Sequence, residues 1–577
     1  MGIYGLKYCL NREDQICSVN IGEEVKKWKC KNPDEITPIV VIDFPNLAHW
    51  LEQKPNDWIC GLRYQTMTQC WENYFVALKN AGCSLVFIAP WYDADFDINK
   101  RLERLNGNFE KYVDIYDQIE DGIELQNIVV AKDLNMEASK QLLAAVAKKY
   151  GDFHNVSKEQ CHLEIVKYAT HHNAMAILSS NTEFLIFDGS WKIWSTKDDE
   201  FQVNESNEVT TTEYGPNCLI NVFALAKHQL PLFATLIGNK ITGEYYDKLC
   251  RFHYSLGSTT YRWQNVARYV RKVYDSSKHL SDMDIRRLTQ HVFGTADEPY
   301  QRLIRQSLDF YNLNYPEAII DDPLEQKLVN TDMYRTYKTI MDPIKTILAR
   351  FYDMRRGVEG ASFSELVIDW EKRKVGILQQ RLNDNSFTLQ FLAKKSFNEA
   401  YQFNTETPVY PDFPLPPLEH LYLQTENKDD REFIEMKWKI FGWIMSFSAE
   451  EISAIKQLPT DFSMISAILL ALVKARLIGV QEADGILYTT KMVQTNQIND
   501  VEYPTVLTAK HVRAVHVYNS VFPHMKKNFA IAGLKSVSQK FQQFDGVYFQ
   551  NLMKLVPEMD ADERETLFEP IRAYRIY

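Results

Sequence analysis

The sequence predicts an α/β domain with a parallel central sheet at the N-terminal end and a mainly α-helical C-terminal region. Across residues 38–238, short apolar runs alternate with amphipathic stretches, the pattern of buried strands covered by helices. After about residue 250 the strand signals mostly stop, and apolar residues recur at three-to-four spacing. The chain has 577 residues, 45% hydrophobic and 13% aromatic, enough to bury several packed cores.

The strand expectations are residues 38–43 (Pro-Ile-Val-Val-Ile-Asp), 84–89, 174–178 and 184–187. Each is apolar without alternation, as strands covered on both faces are. Helical patterns fill residues 64–81, 138–149 and 158–169, and residues 195–212 are polar and acidic and read as a loop. Farther on, residues 261–273, 333–355 and 432–447 read as helices. Residues 407–417 hold five prolines and cannot be helical, so a proline-rich linker is placed at 404–418. The organisation expected is 1–290, 291–403, the linker, and 419–577.

A net charge of −11 excludes coating of nucleic acid by bulk charge, so any such site must be a local basic patch. No charged segment followed by a long apolar core opens the chain, and the apolar run from Met464 to Val473 is about half a membrane span before Lys474 ends it. Leu6 stands where a myristoylation motif needs Ser or Thr. The nine cysteines, all within the first 250 residues, form no CxxC pair and read as reduced, mostly buried thiols. A cytoplasmic or nuclear protein with no membrane partner is expected, with Asn204-Glu-Ser a surface loop.

Open α/β sheets present ligand groups at the carboxyl ends of their strands, and a two-metal nuclease needs several carboxylates converging there. Asp43 ends the first strand, Glu159 opens a helix, and Glu183 follows a strand. Each also has a purely structural reading: Asp43 as a cap before Pro45, Glu159 as a helix N-terminal acid, Glu183 as a turn residue. His162, His171 and His172 lack the spacing of a zinc site and read as helix-surface residues.

Met1-Gly-Ile-Tyr-Gly-Leu and Ile39-Val-Val-Ile-Asp43 resemble the start and first acidic strand of the flap-endonuclease-type, PIN-like nucleases. Further segments are similar to the Asteroid-like group, and especially to the constitutive coactivators of peroxisome-proliferator-activated receptor gamma. They are Trp58-Ile-Cys-Gly, Lys158-Glu-Gln-Cys-His-Leu-Glu, the run from His172 through Ser179-Ser-Asn-Thr-Glu183 to Asp188, Leu230-Pro-Leu-Phe-Ala-Thr-Leu-Ile-Gly-Asn, and Phe252-His-Tyr. The resemblance covers residues 1–290 and implies a PIN-like fold there.

Carried over by position, the resemblance keeps metal-binding acids at Asp43, Glu159 and Glu183. It puts Pro90, Cys161, Asn181 and Lys240 where the family has the others. Lys240 sets a positive charge in the metal's place, where a salt bridge to Glu183 or Asp43 is an alternative use; Asp93, Asp95 and Asp97 are possible replacements for Pro90. The resemblance therefore implies a catalytically impaired homologue without cofactor, acting as an RNA-binding or regulatory scaffold of the coactivator type. Two alternatives stay open: a metal-dependent structure-specific endonuclease using Mg²⁺ or Mn²⁺ on an unusual ligand set, and a pure protein-interaction module.

The best interleaving of basic and aromatic residues is Tyr261 to Lys272. There Arg262, Arg268, Arg271 and Lys272 suit phosphates and Tyr261 or Trp263 suits bases of single-stranded RNA; the competing reading is an amphipathic helix with its aromatics inward. Lys345, Arg350, Arg355, Arg356 and Lys372 to Lys374 form a second basic run, read as a solvated face. The aromatic stripe from Met436 to Met445 reads as core.

Overall fold

In the computed structural model the described residues are 2–3, 5–12, 16–33, 37–50, 54–90, 98–130, 138–156, 161–197, 201–274, 280–313, 322–329, 331, 333–334, 336–337, 347–356, 362–381, 387–423, 431–498, 501–538 and 544–577. Two compact units are present. One comprises residues 1–51, 71–92 and 146–319, the other 52–70, 93–145 and 320–577.

The first unit is built on an eight-stranded sheet. Strands β1 (Ile16–Asn20), β2 (Ile39–Asp43), β3 (Ser84–Pro90), β4 (Asp152–Val156), β5 (Ala176–Leu178), β6 (Lys192–Trp194) and β8 (Val209–Tyr214) lie in the order β1-β8-β6-β5-β2-β3-β4, with β7 (Gln202–Val203) beside β8. Neighbours from β4 to β6 run parallel, and β8 is antiparallel to β6 and β1. Val40, Val41 and Ile42 are fully buried, as a central strand covered on both faces requires. Val41, Val86 and Ile177 share one apolar core with the helices Leu230–Ile237, Arg262–Val273 and Asp282–Phe293.

Two expectations are corrected. Residues 184–187 are not a strand, because Thr182–Leu185 form a 3-10 turn in which the Asn181 side chain accepts from the Glu183 N–H at 3.0 Å. The stretch 195–212 contains β7 and most of β8. Its threonines are β-branched and suit a strand, Val209 and Thr211 are buried at alternate positions and Tyr214 is buried at the end, so polarity concealed a half-buried strand.

The second unit packs the helices Thr460–Lys474 and Ala509–Ile531 at its centre, beside a three-stranded sheet ordered β11 (Gln402–Glu406), β10 (Leu389–Ala393), β9 (Ile347–Ala349). β9 overturns the expectation of a helix through its part of residues 333–355; of the rest of that segment, residues 335 and 338–346 lie outside the described residues. The aromatic stripe is core, with Phe441 stacked on Phe529 at 4.0 Å. The second basic run is largely matched by acids: Lys372 pairs with Glu406, Arg373 with Asp369, the buried Lys374 with Glu371, Arg355 with Asp353 and Arg356 with Asp117, while Lys345 lies outside the described residues.

The segment Trp58-Ile-Cys-Gly belongs to this second unit. The Trp58 carbonyl accepts from His516 Nε2 at 3.0 Å, the Gly61 carbonyl accepts from Asn519 Nδ2 at 2.8 Å, and Arg63 pairs with Asp545 at 3.0 Å. His516 Nδ1 in turn accepts from the Tyr116 hydroxyl at 3.1 Å, so both ring nitrogens are used by the neutral imidazole. The proline-rich segment lies along the helix Phe363–Leu378, with the Val409 N–H donating to the Lys372 carbonyl at 3.2 Å.

Two predictions follow from these contacts. A Cβ at position 376 would stand 1.9 Å from the Val409 carbonyl oxygen. Overpacking costs about 1–3 kcal/mol and outweighs the ~1 kcal/mol gained in helix propensity, so Gly376→Ala should lower the urea midpoint. Burial pulls the His516 pKa from its ordinary 6.5 to about 4. The unfolded chain therefore binds the extra proton first as pH falls. Stability from this group is complete above pH 6.5 and is lost toward pH 4, by on the order of 3 kcal/mol. Melts of His516→Gln should show a flatter pH dependence in that window; an unchanged slope contradicts the assignment.

Candidate functional site

The chain runs from β2 to β3 and β4 on one side of the sheet, then returns to β5 and β6 on the other. The switch point at the carboxyl ends of β2 and β5 is where such sheets collect ligand groups. Asp43 is the last residue of β2, and Ser179, Ser180 and Asn181 follow β5 directly.

Asp43 is 3% exposed. Ser179 Oγ donates to its Oδ2 at 2.7 Å, and the Asn46 backbone N–H also donates to it. Burial dominates and holds this carboxyl above its ordinary pKa, although these two donors oppose it. Asn46 Oδ1 accepts from the Ser180 N–H at 2.7 Å and from Thr196 Oγ1 at 2.5 Å, which ties β2 to β5 and β6.

Glu183 lies on the 3-10 turn and is 2% exposed. Its Oε2 is 2.7 Å from His162 Nδ1, and its Oε1 accepts from the Tyr311 hydroxyl at 3.3 Å. Burial alone would raise this carboxyl, but the His162 hydrogen bond, the Lys240 charge and the Tyr311 hydroxyl together hold it below its ordinary value. Asn181 orients the ring: its Oδ1 is taken by the Glu183 N–H, so its Nδ2 donates to His162 Nε2 at 3.2 Å. His162 then donates through Nδ1 to Glu183 and has no lone pair left for a metal. Tyr311 accepts from Asn239 Nδ2 at 3.1 Å, and Asn239 also donates to Ser307 at 2.7 Å, so the network reaches the helix Glu298–Asp309.

The substituted positions complete the site. Pro90 ends β3, and Cys161 is a buried thiol held protonated by burial and by the Asp43 charge. Lys240 is exposed and sets its Nζ 3.8 Å above the Phe310 ring, close enough for its charge to act on Glu183. Glu159 and the candidate replacements Asp93, Asp95 and Asp97 lie outside the described residues. Among the described residues no group of three His, Cys, Asp or Glu could hold a metal ion. This donor set does not fit two divalent cations, which need several free anionic oxygens. His162 corrects the surface reading, since it is the hub of the network; His171 and His172 are exposed as expected. Its signal in the sequence was its place in the first turn of the helix Cys161–His171, facing the turn after β5.

The five candidate nucleic-acid residues separate into two groups. Arg262 Nη1 donates to the Tyr246 hydroxyl at 2.9 Å and its guanidinium lies 4.5 Å from the Trp263 ring centre, while Trp263 packs on the core and against Gly5. Arg271 Nη1 donates to the Phe223 carbonyl at 2.7 Å, where the helix Cys218–Phe223 ends. Arg268 and Lys272 are on the exposed side.

Parallel strands with acids at their carboxyl edge and a helical layer packed on them make this an α/β domain, followed by a mainly helical region. Residues 223–315 match the FAM120A-like domain. The chain is similar to the constitutive coactivator of peroxisome proliferator-activated receptor gamma of Mus musculus, with 25% identity over 251 residues, 42% of this chain and 30% of the relative. It is 28% identical to the Homo sapiens protein of that name over 264 residues, 42% of this chain and 26% of the relative. The matches thus span less than a third of these relatives. Among solved structures, it is similar to the catalytic core of Rad2 in complex with DNA substrate, at 13% identity and TM-score 0.29, covering 56% of this chain and 92% of that one. Human GEN1 in complex with Holliday junction DNA matches at 9% identity and TM-score 0.33, covering 79% and 97%. Over these segments the chain is similar to the coactivators to which its motifs pointed.

If Asp43 and Ser179 now serve packing, Ser179→Ala should cost about 1–3 kcal/mol, because it removes a donor from a buried carboxylate. Asp43→Asn keeps an acceptor and loses the buried charge, so it should change the melting temperature less than Ser179→Ala does. A larger loss in Asp43→Asn contradicts the packing role.

Proposed function

We propose that this chain is a catalytically impaired PIN-like nuclease homologue that binds RNA and serves as a regulatory scaffold of the coactivator type, in the cytoplasm or nucleus. The observation that carries the reading is the occupation of Glu183: His162 holds one carboxylate oxygen and Tyr311 the other. Magnesium demands near-octahedral oxygen ligation, and a carboxylate spent on two internal donors supplies it poorly. Asp43 is likewise spent on Ser179 and the Asn46 backbone. The coactivator names of the curated relatives support a regulatory role, and the basic helix Arg262–Val273 supports nucleic acid as a partner.

The test incubates the full chain with labelled single-stranded RNA and flap DNA in Mg²⁺ or Mn²⁺, beside an Asp43→Ala/Glu159→Ala control. Binding without cleavage is expected. Cleavage that disappears in the control overturns the impairment and installs the endonuclease reading. Absence of both activities overturns the RNA-binding part and leaves the protein-interaction reading.

A further inference from the structure

We infer that the turn joining the helices Tyr246–Ser255 and Arg262–Val273, together with the solvent face of the second helix, is a stacking platform for single-stranded nucleic acid. Tyr254 and Tyr261 take bases, and Arg268 and Lys272 take phosphates. The inference rests on the nucleic-acid reading above and names where the strand lies.

The two tyrosines are 69% and 61% exposed, among the most exposed large side chains of the described residues. They stand at the two ends of the short connection between the helices, which is made of two successive turns: the Gly257 N–H donates to the Tyr254 carbonyl at 3.3 Å and the Tyr261 N–H to the Ser258 carbonyl at 3.1 Å. Both rings are left largely in water, whereas Trp263 and Tyr269 on the second helix pack on the core.

The helix fixes what stands beside Tyr261. Val266, Ala267 and Val270 are buried and mark its inner face. At 100° per residue, positions 261, 268 and 272 fall within a narrow stripe opposite that face, extending ~16 Å along the axis, with Arg268 and Lys272 about 6 Å apart. Tyr261 occupies the N-cap, so the stripe begins on an aromatic ring and continues into two cations.

The local charge agrees. From Lys248 to Tyr274 the sequence has six Lys and Arg and no Asp or Glu, within a chain of net charge −11. Of these six, Lys248 sits on Tyr300, Arg262 on Tyr246 and Trp263, and Arg271 on the Phe223 carbonyl. Arg268 holds only a 3.3 Å contact to Asn265 on the same exposed face. The residues between the tyrosines are mostly polar, namely Ser255, Ser258, Thr259 and Thr260, so the patch lacks the contiguous apolar surface of a protein-docking site. A duplex keeps its bases stacked inside and offers the rings nothing. A single strand offers base faces and phosphates together.

The experiment measures anisotropy of labelled 12-nucleotide oligouridylate, oligothymidylate and a duplex of matched length with the full chain over a range of salt. Tyr254→Ala/Tyr261→Ala should weaken single-strand binding by about thirtyfold or more, the lower end for two lost stacking contacts. Arg268→Gln/Lys272→Gln should lower the salt slope by about 1.4, two phosphates at ~0.7 each. Unchanged circular dichroism melts confirm that the variants fold. Oligomer binding retained at wild-type strength in the tyrosine variant overturns the platform while the nucleic-acid reading stands. Equal affinity for duplex and single strand also overturns it. No binding of any oligomer by the wild-type chain removes the nucleic-acid reading itself.

Discussion

Carboxylates buried at the edge of a sheet cannot remain uncompensated, and the first unit is organised around how this chain meets that constraint. In a metal site divalent cations neutralise such acids. Here a histidine, a tyrosine, a serine and the Asn46 backbone N–H do so through hydrogen bonds to the Glu183 and Asp43 carboxyl groups. The substitution is collective. Asn181 can present its amide to His162 only because the Glu183 N–H holds its carbonyl, and Tyr311 can serve Glu183 because Asn239 supports its hydroxyl.

The two acids feel opposite environments although they share one edge. Asp43 is dominated by desolvation and is driven toward its neutral form, whereas Glu183 is surrounded by donors and positive charge and stays ionised. Gly2 belongs to the same arrangement: its φ is +121°, and a Cβ there would stand 2.7 Å from Asn181 Oδ1, so the opening Gly is explained by close approach to the network.

The central strands were legible because β2, β3 and β5 are apolar on both faces, and the positions of Asp43, Asn181 and Glu183 followed from them. β8 is hidden by its threonines, and the apolar run after Glu183 has the pattern of a strand because periodicity alone does not separate a short strand from a buried turn. β9 was missed because three residues carry too little pattern to compete with the surrounding helical spacing. His162 escaped notice for a different reason. Its importance lies in pairing with a residue on another element, and single-sequence spacing contains no such information. Basic residues were recognised as a group, but which of them were committed to carbonyls and rings depended on packing.

The second unit has a consequence for the order of events during synthesis. Trp58 is hydrogen-bonded to a residue 458 positions later, and the Gly61 carbonyl is held by Asn519 at the same separation. At ordinary translation rates these partners leave the ribosome ~20–90 s after the segment that needs them. Every residue of the first unit is available once Ile319 has emerged. The Trp58 and Gly61 carbonyls therefore lack these two partners on the nascent chain until Asn519 has emerged, long after the first unit is complete.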